Sequence, residues 1–121
     1  MSSVLILGID PHTVPGMDGD AIRAALDAEL GRFGADGVQA AMTLIALDES
    51  AEAAIVASLA ERAWEVVVVG GGIRKPEPLV EFFELVVNLV RRHAPGAAIA
   101  FNTSGGDSLE AARRWLGRDD G

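Results

Sequence analysis

The chain has 121 residues, half of them hydrophobic, with 18 acidic side chains against 10 lysines and arginines and a formal net charge of -8. That is enough for one domain and too little for two, and the apolar content excludes a disordered chain. The acidity speaks against nucleic acid and anionic membranes, which basic faces bind, and the absence of cysteine removes disulfides, thiolate metal sites and cysteine nucleophiles.

The opening "MSSVLILGID" has no basic start and only a short apolar run, so a signal peptide is not expected. No apolar stretch is long enough for a bilayer, and a cytoplasmic protein is the expectation. "VLILGI" (Val4 to Ile9) reads as a strand buried on both faces. After Pro11 and Pro15, "DAIRAALDAELGRF" sets Ile22, Ala25, Leu26, Leu30 and Phe33 on one helical stripe, ended by Gly34 and Gly37. "VQAAMTLIAL" (Val38 to Leu47) is the second strand. Ser50 is the expected N-cap of a second helix, "AEAAIVASLAERA".

"VVVV" (66–69) is the third strand, and a third helix is expected from about Pro78 to His93, with His93 placed to meet the negative end of the helix dipole. "AAIAF" (Ala97 to Phe101) is the fourth strand, and "DSLE" (Asp107 to Glu110) has the pattern of a capping box opening a last helix to Leu116. Strands alternating with helices imply parallel strands joined by right-handed crossovers. The expected fold is a three-layer α/β/α sandwich with a four-stranded parallel sheet in the order 2-1-3-4. This is a flavodoxin-like, Rossmann-like sheet without its fifth strand. The fourth strand is then an unprotected edge. The last helix must fold back beside the first, burying Leu109, Ala112 and Leu116, to keep half the sheet dry.

The third helix is apolar over an arc of about 220°, wider than one sheet face needs. Either neighbouring helices cover the surplus, or a second copy does. The second reading predicts a homodimer through Phe82, Phe83, Val86, Val87, Leu89 and Val90 with the adjacent edge strand.

Open parallel sheets bind ligands beyond the C-terminal ends of their strands, where the connections diverge; here that is between the first and third strands. The loops that meet there are "DPHTVPGMDGD", "GGGIRKPEP" and "NTSGGD". Gly70, Gly71 and Gly72 let a ligand approach the backbone. Arg74 and Lys75 suit a carboxylate or phosphate, and Asn102, Thr103 and Ser104 add neutral donors. Asp10 and His12 are the one pair resembling an acid–base set. Together these residues predict a site for a small anionic ligand, with hydrolase or transferase chemistry if His12 and Asp10 act on it. No cofactor is implied, and no spacing of His, Asp or Glu predicts a metal. The plainer alternative is that the glycines and Asn102 through Asp107 serve turns and caps, Arg74 and Lys75 pair with Glu77 and Glu81, and the chain is a non-enzymatic interaction module.

The topology resembles response-regulator receiver domains, with Asp10 in the place of one acid. The third strand, however, ends in glycines where those carry the phosphorylated aspartate, and their last strand and its lysine are missing. "DPHTV" resembles the D-x-D-x-[TV] loop of haloacid-dehalogenase-like phosphatases, with His12 where the second aspartate belongs. The glycines spell neither the dinucleotide fingerprint nor the P-loop, and no G-x-S-x-G elbow is present.

Overall fold

A computed structural model describes residues 2–104 and 106–117. Four strands, β1 (Ser3–Ile9), β2 (Gln39–Ile45), β3 (Val66–Val69) and β4 (Ala98–Phe101), form one parallel sheet in the order β2-β1-β3-β4. The helices are α1 (Gly19–Ala35), α2 (Ala51–Ala60), α3 (Gly71–Arg74), α4 (Val80–His93) and α5 (Ser108–Arg113). The expected strand order is found, and α4 is the helix expected third. The single turn α3 and the 3-10 turn Pro11–Thr13 stand where loops were expected, and the 3-10 turn Glu77–Leu79 takes the place of the first residues of the expected helix.

Successive residues of a strand point to opposite faces, so the unbroken apolar runs of β1 and β3 feed two cores. Leu5, Leu7, Val67 and Val69 pack beneath α2 and α4, with Ile55, Leu59, Val86 and Val90. Val4, Ile6, Val66, Val68 and Ala100 pack beneath α1 and α5, with Phe33, Leu109 and Ala112. The last helix therefore returns beside the first, and Leu109 and Ala112 are buried while Leu116 is partly so. Each fully buried Val, Leu, Ile or Phe side chain of these cores contributes about 1.5–3 kcal/mol.

Polar contacts fix α5 in that place. Glu29 of α1, only 4% exposed, accepts from the Leu109 N–H at 3.0 Å and from Arg32 at 2.9 Å. Arg32 continues to Glu110 and to the Gly106 carbonyl. The capping box expected at Asp107–Glu110 does not form, because a carboxylate from α1 caps α5 instead and Asp107 turns back towards Thr103. Ser50 likewise makes no side-chain cap; Asp48 accepts from its N–H and hydroxyl. The α1 helix ends through Gly37, at φ 75°, while Gly34 lies within it.

The fourth strand is less open than its sequence suggests, since Arg114 donates to the Phe101 carbonyl at 2.9 Å. Of the six residues expected to face a partner, Val86, Leu89 and Val90 are taken up by the chain's own core. The inward face of α4 closes over α2 and the sheet, which leaves Phe82, Phe83 and Val87 half-buried. No helix is long and apolar enough to cross a membrane among the described residues.

Candidate functional site

The register of the sheet places two glycines side by side at its centre. Gly8 pairs with Leu44, and Leu7 with Val69, so one step further Gly8 lies beside Gly70 and Gly70 beside Asn102. On the face towards α1, the row Met42–Ile6–Val68–Ala100 is thus followed by Leu44–Gly8–Gly70–Asn102. Two adjacent positions in that second row have no side chain. A hollow of about 480 Å3 occupies the space, opening at the C-terminal ends of the strands.

Its floor is Ile6, Gly8, Met42 and Leu44 of the sheet, and its roof is Ile22 and Leu26 of α1. This is why those two helix residues are only half-buried while Phe33, about four turns from the helix start, is fully so. Pro11, Val14 and Met17 form one lip, Leu47 another, and Gly70, Gly71, Gly72, Pro76 and Leu79 the third. Met17 and Leu47, 53% and 47% exposed, are two of the four large apolar side chains left in solvent among the described residues. Polar chemistry enters at one corner, where Asn102 and Ser108 line the wall. The buried Asn102 amide accepts from the Gly71 N–H at 2.8 Å and donates to Ser108 Oγ at 2.9 Å. Ser108 therefore accepts that bond and retains its own hydroxyl proton for a further acceptor.

The three glycines after β3 differ from one another. None has a positive φ. Gly70 is fixed by packing, because a Cβ there would lie 3.0 Å from the Leu7 carbonyl oxygen. At Gly71 a Cβ would press on the Lys75 side chain at 3.3 Å. At Gly72 it would meet only Ile9, at an ordinary 3.6 Å. Gly8 is similar, with Leu44 at 3.4 Å.

Arg74 and Lys75 do meet the fourth loop, as the topology predicts, but they spend their donors on it. Arg74 Nη2 donates to the Asn102 carbonyl, and Lys75 Nζ to the Thr103 carbonyl. The Arg74 guanidinium also lies over the Phe101 ring, 5.8 Å from its centroid. Arg74 Nε is buried without a hydrogen-bond partner. Neither cation pairs with Glu77 or Glu81, and neither lines the hollow. The backbone N–H groups of Thr103 and Ser104 and the Thr103 hydroxyl are also in use, and the Ser104 hydroxyl accepts from the Gly106 N–H at 3.2 Å. Both N–H groups and the Thr103 hydroxyl donate to Asp107, at 2.6 to 3.1 Å. Burial works against the Asp107 charge, but these donors outweigh it and hold its carboxyl below the usual range.

Asp10 and His12 are together, on the loop that forms the first lip, but they do not line the hollow. The Asp10 carboxylate accepts from the His12 N–H at 3.0 Å and lies 3.4 Å from His12 Nδ1. The closer partner is Asp20, on the first turn of α1, whose carboxylate is 2.9 Å from His12 Nε2. The ring also packs against Gly19, where a Cβ would lie 2.7 Å from His12 Cδ2. The Asp20 hydrogen bond raises the His12 pKa above its ordinary value, desolvation opposes it, and Asp10 adds to the rise. His12 is thus a solvent-exposed clasp holding the loop to α1. No group of three or more His, Asp or Glu side chains suited to a metal ion is found among the described residues.

The structure therefore brings Gly70, Gly71, Gly72 and Asn102 to the hollow, ties Arg74 to Asn102, Lys75 to Thr103, and Thr103 and Ser104 to Asp107 without any of the four lining it, and leaves Asp10 and His12 outside its lining. Sequence reasoning missed Gly8, Ser108, Asp20 and the aliphatic walls. The one trace of the hollow in the sequence is Gly8, an interruption in an otherwise aliphatic strand, which gains meaning only from its register with Gly70 just after β3. No family model, no curated protein and no solved structure matches this chain.

Proposed function

We propose that the protein binds a compact, mainly apolar small molecule in the hollow beneath α1, with one hydrogen-bond acceptor of that molecule at the corner formed by Asn102 and Ser108. The observation that carries this reading is the pair Gly8 and Gly72. Both line the hollow, neither has a positive φ, and each has room for a methyl group. Glycine inside a strand or helix costs about 0.5–1 kcal/mol relative to alanine. The chain bears that cost twice at the walls of one cavity, which fits a backbone that a ligand must approach.

Size and place support the same reading. Ligand pockets run from about 300 to 1,000 Å3 and favour the switch point of parallel sheets. The described lining residues include no titratable side chain, so the hollow offers no general acid or base, and the proposed role is binding rather than turnover. The unmet Nε of Arg74 favours a second reading, in which a carboxylate- or phosphate-bearing molecule docks at the rim beside Arg74 and Lys75.

A thermal-shift panel separates the two. Decanoic acid, decanol, indole and naphthalene stand for apolar bodies with and without an acceptor, and sugar phosphates and short dicarboxylates stand for compact anions. A ligand at one hundred times its dissociation constant stabilises by about 2.7 kcal/mol, a rise in Tm of roughly 10 °C for a chain of this size. The apolar reading predicts that Leu26→Trp, which fills the hollow, removes the response, whereas Arg74→Ala leaves it. The anion reading predicts the reverse. A panel without any shift removes both.

A further inference from the structure

The outer flank of α4 has its own unspent surface. Val80 is 60% exposed, and Phe83 and Val87 are only half-buried. At about 100° per residue, Val80, Phe83, Glu84, Val87 and Arg91 share one flank, spaced by three and four residues like one seam of a two-stranded coiled coil. The flank borders β4, whose Phe101, 38% exposed, packs edge-to-face on Phe83 at 5.8 Å. Glu84 and Arg91 lie two turns apart on this line with opposite charges. Among the described residues, neither has an ion-pair partner.

We propose that this flank pairs with the same flank of a second copy, antiparallel about a two-fold axis near Val87. Antiparallel pairing reverses the order of charges along the seam, so Glu84 of each copy meets Arg91 of the other. Parallel pairing would set like against like. Val87 of each copy lies between the two crossed ion pairs and Phe83 flanks them on the outside, and such an isologous contact closes at two copies. Edge-to-edge pairing of β4 is the competing geometry, and Arg114 obstructs it by holding the Phe101 carbonyl. Each copy carries a net charge of -8, so the two would repel at a distance and depend on these local opposite charges for register.

Sedimentation equilibrium of the full chain tests the pairing through a charge swap. Glu84→Arg and Arg91→Glu are each expected to weaken dimerisation about tenfold, because both crossed pairs become repulsive. The double reversal Glu84→Arg/Arg91→Glu rebuilds the pairs in swapped order and is expected to return the dissociation constant to within about threefold of the original. Both side chains are exposed, so the fold itself is not at stake, and a thermal melt of each variant checks that. A chain that stays monomeric up to about 1 mM, or a double reversal no better than the single ones, overturns the proposal.

Discussion

The rim of the sheet has two corners that differ in how their chemistry is settled. At the charged corner, Arg74, Lys75, Thr103, Ser104 and Asp107 find most of their partners within the chain. At the apolar corner, the hollow beneath α1 is walled by aliphatic side chains and glycines that meet nothing across it. Polar residues at strand ends have an internal obligation, because the backbone groups that leave the sheet need hydrogen-bond partners. Absent side chains carry no such obligation. Missing bulk in an otherwise well-filled core is therefore the stronger pointer to a ligand, and clustered charge the weaker one.

Asn102 belongs to both corners, and removing it is the largest expected effect. Asn102→Ala leaves the Gly71 N–H and the Ser108 hydroxyl without their buried partner. An unsatisfied buried polar group costs about 1–3 kcal/mol, and two of them are expected to lower Tm by roughly 8–22 °C in a chain of this size. Thermal unfolding followed by circular dichroism reads this directly. Were the loss below about 1 kcal/mol, the amide would not be the strut that joins the two corners.

The glycines sharpen the comparison with an effect of opposite sign. Gly8→Ala and Gly72→Ala each fill space that a methyl can take without contact below 3.4 Å. Each is expected to stabilise the free protein by about 0.5–1 kcal/mol, which raises Tm by a few degrees. Each is also expected to weaken a hit from the apolar panel, since the methyl intrudes on the hollow. Higher stability with lower affinity is the signature of glycines kept for a ligand. Unchanged affinity would mean that they serve the fold alone.

The sequence carried the architecture further than the chemistry, and the residues show why. Four apolar runs alternating with helices leave few topologies, and the valines of β3 mark a strand covered on both sides. The meeting of residues 70–75 with 102–104 follows from strand order alone. What those side chains bond to depends on approach across 28 residues of chain, which no local pattern encodes. Asp20, an acid in the first turn of α1, holds His12 across eight residues, a contact that no local pattern announces. Gly8 hides inside an apolar run, and its importance appears only when its register with Gly70 is known. The excess apolar arc of α4 was legible, but the division between its inward face and its free flank waits on the position of α2.

The smallest expected effects concern two clasps that flank the hollow and answer to pH in opposite directions. The His12 pKa is raised by Asp20, so its contribution to stability is complete below the unfolded value of about 6.5 and is lost as pH rises through the folded value. The Asp107 pKa is lowered against the pull of burial, so its contribution is present above about 3.9 and is lost as pH falls through the folded value. Both loops are therefore tied down between about pH 4 and 6.5. NMR titration of the His12 ring in the intact protein checks the first clasp: Asp20→Asn should move the midpoint down towards the ordinary histidine value. The methyls of Val14 and Met17, on the lip that His12 secures, should shift with the same midpoint. If those methyls ignore the titration, His12 is a surface ion pair with no hold on the mouth of the hollow.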